Sequence, residues 1–62
     1  MTTIEYAIFN EKKEKLHSWI ENDLSQPIPR IGEIVCIQYW EGKVKAIAHD
    51  FNKNTIRVSV LV

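Results

Sequence analysis

Sixty-two residues are enough for one small domain, and a chain of that size buries only about 60% of the surface it exposes when unfolded. Eight Lys and Arg balance eight Asp and Glu for a formal charge of zero, which excludes the plainly basic footprint of a strong non-specific nucleic-acid binder. The single cysteine, Cys36, excludes an intrachain disulfide, and the Cys/His spacing of a structural metal site is missing.

With those staples gone, self-association is the expected support for a thin core. No cofactor and no metal are expected; His17 and His49 lie far apart in sequence. No segment approaches the roughly 20 apolar residues of a membrane span. The first fifteen residues lack the charged region and apolar run of a signal peptide. A cytoplasmic protein is therefore expected. Residues 1–26 carry a net charge of −2 and residues 27–62 a net charge of +2, a mild asymmetry.

In chain order, residues 3–9 alternate, with Ile4, Tyr6 and Ile8 on one side and Glu5 and Ala7 on the other. That period of two predicts a short strand. Asn10 is a favoured helix N-cap. Residues 11–24 place Leu16, Trp19, Ile20 and Leu24 on one helical stripe, and a helix is predicted there. Lys12 and Lys13 at its start, and Glu21 and Asp23 at its end, oppose the helix dipole. Burial of Trp19 and its neighbours would have to hold it. Residues 25–32, with Pro27 and Pro29, read as an extended connector, and Gly32 permits a turn.

Residues 33–62 read as a three-strand antiparallel meander. Taking Glu41-Gly42 as a two-residue hairpin loop and residues 50–54 as a second loop gives one consistent apolar face. That face contains Val35, Ile37, Tyr39, Val44, Ala46, Ala48, Ile56, Val58, Val60 and Val62. A slip of one residue would scramble it. Ala46 and Ala48 would leave room for Trp19 of the helix.

The opposite face interleaves Ile34, Cys36, Ile47 and Leu61 with Trp40, Lys43, Lys45 and Arg57. Solvated antiparallel faces are usually more polar, and Trp and Arg are enriched at interfaces. Three readings follow: plain surface, a homo-oligomer contact, or a surface for nucleic acid or a ligand. In the last, Trp40 stacks on a base and Lys43, Lys45 and Arg57 meet phosphate. The partner-binding candidates are Trp40, Lys43, Lys45, Ile47 and Arg57. The oligomer-interface candidates are Ile34, Cys36, Leu61 and Val62. No catalytic residues are assigned. Cys36 and His49 could come near one another as nucleophile and base, but a flat sheet face rarely supplies an oxyanion site.

Pro29-Arg-Ile-Gly32-Glu-Ile-Val35, Gly42-Lys-Val44-Lys-Ala-Ile47 and Thr55-Ile-Arg-Val58 resemble the pattern of small SH3-like barrels of the KOW type. The likeness covers about half the chain, and the helix after the first strand departs from the simplest barrels. It implies a binding module for protein, RNA or DNA, without choosing among them.

The expected architecture is α+β in the order β-α-β-β-β, one helix covering an antiparallel sheet that could curl into an SH3-like barrel. The expected function is non-enzymatic: a homo-oligomeric inhibitor or adaptor of another protein. A viral or mobile-element origin is the accompanying base-rate expectation. The alternative is a nucleic-acid or nucleotide-binding SH3-like module.

Overall fold

A computed structural model describes residues 2–22 and 27–62. Five strands follow one another: β1 Thr3–Phe9, β2 Lys15–Glu21, β3 Ile34–Ile37, β4 Trp40–Asp50 and β5 Thr55–Leu61. They form one sheet in the order β2-β1-β5-β4-β3. Every neighbouring pair is antiparallel except β1 and β5, which run parallel. The sheet curls into a half-barrel.

The expected α+β class is overturned. Among the described residues there is no helix, and the covering helix over 11–24 is replaced by β2. Leu16, Trp19 and Ile20 fit a helical stripe, and Lys15–Glu21 shows no clean alternation, but a short apolar segment does not by itself decide between helix and strand. What decides is β1. Without β2, one side of β1 would present a row of unpaired N–H and C=O groups. Paired with β2, Ile4 faces Glu21, Tyr6 faces Trp19 and Ile8 faces His17. The helix also had opposed charges at both ends. Asp23, Leu24, Ser25 and Gln26, assigned to the helix end and the connector, lie outside the described residues.

Asn10 does cap, but it caps a turn. Its side-chain oxygen accepts from the Lys12 and Glu14 amides, both at 3.0 Å. Its own amide donates to the Glu14 carbonyl at 3.1 Å. The reversal forces Lys13 to φ 65°.

The core is the concave face: Ile4 and Ile8 from β1, Ile37 from β3, Val44 from β4, and Ile56, Val58 and Val60 from β5. Tyr6, Val35, Trp40 and Ile47 pack against it, partly buried. Full burial of each branched side chain stabilises by roughly 1.5–3 kcal/mol. The parallel β1–β5 ladder runs from Thr3 opposite Thr55 to Phe9 opposite Leu61. It is extended by the Thr3 amide on the Asn54 carbonyl and the Val62 amide on the Phe9 carbonyl, both 3.0 Å.

Residues 33–62 are three antiparallel strands, as the alternation indicates, but both expected registers are corrected. The first turn is Gln38-Tyr39, with Gln38 at φ 54°, so Ile37 opposes Trp40 and Val35 opposes Gly42. Gly42 serves a close approach and not a turn: a β-carbon there would lie 2.5 Å from the Leu61 carbonyl oxygen. The second loop is residues 51–54, with Asp50 opposite Thr55. The Asp50 carboxylate accepts from the Asn52 and Lys53 amides. Val44 does oppose Val60, but the register shifts between Val44 and Ala46. Lys45 is the extra residue of a bulge, and alternation resumes in the opposite phase. Ala46 and Ala48 are therefore exposed, while Ile47 turns inward opposite Val58. Tyr39, expected in the core, is fully exposed at its turn.

Gly32 makes the turn expected of it, at φ 96°. Its amide donates to the Val44 carbonyl at 2.9 Å, and the Val44 amide donates to the Glu33 carbonyl at 2.9 Å.

Candidate partner-binding site

The curl brings the two outer strands, β2 and β3, toward each other without pairing them. At one end the gap is clasped by side chains. His17 Nε2 donates to the Gln38 amide oxygen at 2.8 Å, and the His17 ring stacks on Trp40 with centroids 6.4 Å apart and planes 24° from parallel. β2 supplies the histidine, and the β3–β4 turn supplies its partners.

Beyond the clasp the gap remains open as a recess of about 350 Å³. Tyr6 and Trp19 line one wall as a cross-strand pair, with Glu21 one inward position further along β2. Pro27, Pro29, Val35 and Ile37 line the other. The lining holds one carboxylate and, among the described residues, no Lys or Arg. Burial, and after it the neighbouring Glu21 carboxylate, raise the Tyr6 hydroxyl above its ordinary value of 10.0. That is the electrostatic sign of a partly desolvated, negatively biased wall.

A second groove, about 400 Å³, lies on the outer face. Phe9 and Leu61, in register across β1 and β5, meet Lys13 and Lys45 there.

The expected partner-binding residues do not form one surface. Trp40 and Ile47 are half-buried against the core. Lys43, Lys45 and Arg57 are exposed on the outer face, and Arg57 lies 3.5 Å from the Glu5 carboxylate, its register partner. Of the expected oligomer-interface residues, Ile34 and Cys36 are exposed on β3, Leu61 is half-buried and Val62 is exposed. Ile34, Lys43 and Leu61 fall side by side in one row across the sheet. Cys36 is two pairs away, opposite Glu41. His49 stacks on Phe51 at the other end of β4. His49 lies eight positions beyond Glu41 along β4, roughly 25 Å of extended chain, so Cys36 and His49 form no dyad.

Tyr6, Trp19 and Glu21 were missed as a site because Trp19 was placed on a helix. The sequence carries no alternation that marks this strand; the shared side of His17, Trp19 and Glu21 comes from their register opposite Ile8, Tyr6 and Ile4. No group of three or more His, Cys, Asp or Glu among the described residues is arranged to hold a metal ion, and none of them forms a helix long and apolar enough to cross a membrane.

The class that the fold defines is a small five-stranded mixed sheet curled into a half-barrel, its two outer strands not paired with each other among the described residues. No protein-family model, no curated protein and no solved structure matches the chain.

Proposed function

We propose that the chain is a non-catalytic binding protein, an inhibitor or adaptor that holds another protein at the open seam of its half-barrel. The observation that supports this is the recess between β2 and β3, where the Tyr6 and Trp19 rings and the Glu21 side chain line one wall and Pro27 and Pro29 stand opposite. Such a wall suits a Lys or Arg of the partner, held against the ring faces with the Glu21 carboxylate nearby. Prolines opposite give a rigid apolar second wall. A curled sheet of this kind is compatible with the SH3-like resemblance, and folds of that type serve many partners. The choice of a protein partner therefore rests on the recess and not on the fold.

The test is capture from the source cell's lysate by the tagged chain, with and without nuclease, and with Trp19→Ala and Glu21→Gln as controls. One protein retained in near-equal amount, insensitive to nuclease and lost with both variants, supports the seam. Capture that disappears with nuclease, or survives both variants, overturns it. Nuclease-sensitive capture would turn attention to the exposed Lys43 and Lys45.

A further inference from the structure

Four of the chain's eight Lys and Arg residues gather about one apolar pair on the outer face. Phe9 and Leu61 lie in register across β1 and β5. Both point away from the core, because Ile8 and Val60 beside them are buried in it. Their row continues to Lys15 of β2 on one side and to Lys43 of β4 on the other. Lys13 and Lys45 join Phe9 and Leu61 in lining the groove of about 400 Å³. Among the described residues none of these four lysines is paired with a carboxylate. Glu11 is the one carboxylate side chain among the described residues of the lining.

The two lining lysines stand where the backbone is irregular. Lys45 is the extra residue of the β4 bulge, and Lys13 holds φ 65° in the β1–β2 turn. A bulge re-aims a side chain that regular pairing would carry elsewhere, and backbone held outside its favoured regions points to a working site. Phe9 and Leu61 are half-buried, so they line a recess and do not protrude from the sheet. Ser59, one outward position before Leu61, is small and keeps that recess open.

A groove of this size, mostly apolar at its surface and edged by a few polar groups, has the character of a small-molecule site. The apolar part suits a hydrocarbon body, and the unpaired ammonium groups suit an anionic head. A nucleic acid would need cations tracking along a groove, whereas these surround one spot on a chain with no net charge. A membrane would need apolar side chains standing clear of the sheet to enter it.

We propose that this groove binds a small anionic amphiphile, a free carboxylate on an apolar body. Lys13 and Lys45 hold the head and outweigh Glu11, and the body lies on Phe9 and Leu61. Lys15 and Lys43 add attraction from the two ends of the row. The groove is separate from the seam, and the inference does not rest on the protein-binding reading.

The test is an NMR titration of the whole isotope-labelled chain with octanoate, and with octanamide as its neutral counterpart. Octanoate is expected to shift the amides of Phe9, Lys13, Lys45 and Leu61 saturably, with a dissociation constant of about 1 mM. Octanamide should bind about tenfold more weakly, the loss of one charge-assisted contact. A Lys13→Gln, Lys45→Gln double variant should lose octanoate affinity by about the same tenfold factor and keep its affinity for octanamide. Both lysines are exposed, and unchanged amide positions elsewhere confirm that the variant folds. Absence of saturation below about 10 mM overturns the proposal, as do shifts that map elsewhere or equal octanoate binding by the double variant. Retention of the chain on phosphatidylglycerol vesicles without any response to octanoate would assign the groove to a membrane and overturn it too. So would a saturable response to a short single-stranded oligonucleotide with none to octanoate.

Discussion

Gly42 of β4 lies against the Leu61 carbonyl of β5 so closely that a β-carbon would sit 2.5 Å from the oxygen and 2.8 Å from Val60 Cγ1. This contact lets one long strand serve two partners. The first residues of β4 pair with β3, the rest pair with β5, and Lys43 belongs to both ladders. Gly42→Ala is expected to destabilise the fold by about 1–3 kcal/mol, as overpacking against backbone does. Urea denaturation of the variant checks this. A change within 0.5 kcal/mol, the ordinary range for surface substitutions, would mean the approach is not close.

The β1–β2 turn holds Lys13 at φ 65° without a glycine. A non-glycine residue in the left-handed region costs roughly 1 kcal/mol from the crowding of its β-carbon. Lys13→Gly relieves that crowding but loosens the unfolded chain, so a net gain of about 0.5 kcal/mol in urea denaturation is expected, with Lys13→Ala giving none. Equal effects from the two variants would show that the lysine side chain, and not φ, matters.

Tyr6 supplies the pH dependence that the recess allows. Its hydroxyl is raised above 10.0, first by burial and then by the Glu21 carboxylate. The folded state therefore favours the neutral phenol more than the unfolded state does. That contribution is fully present below pH 10 and is lost as pH rises through the higher folded value. Stability is expected to fall above pH 10, and Tyr6→Phe should remove this part of the slope. Tyrosinate absorbance followed alongside denaturation midpoints tests it: parallel alkaline slopes in both proteins would contradict the assignment.

Several parts of the fold could be read directly in the residues. The alternation of Thr3–Phe9, the Gly32 turn and the pairing of Val44 with Val60 depend only on local chemistry or on one nearby turn. Three features carried no such signal. Lys15–Glu21 fits a helical stripe and carries no clear period of two, and the choice of strand belongs to the unpaired side of β1, which no local window contains. The parallel pairing of β1 with β5 joins residues more than fifty apart, with no hairpin to set its register. The Gln38-Tyr39 turn lacks the Gly or Asn that usually marks a positive φ, while the nearby Gly42 offers a false turn. The candidate recess followed β2: with residues 11–24 read as a helix, Tyr6, Trp19 and Glu21 could not be brought to one wall.

The bulge at Lys45 gives the sharpest contrast between the regular and the observed register. A regular β4 would bury Ala48 and expose Ile47. With Lys45 as the extra residue, Ala48 is exposed opposite Arg57, and Ile47 packs on the core opposite Val58. A lysine at each position separates the two arrangements, because an ammonium is tolerated in water and is costly against an apolar core. Ala48→Lys should change stability by less than about 0.5 kcal/mol. Ile47→Lys should cost about 2 kcal/mol or more, tempered by the chance for a long chain to extend its charge toward solvent from a half-buried site. Thermal melts of the two variants check both values. The reverse ranking would restore the regular register and with it the expected face of Ala46, Ala48 and Ile56.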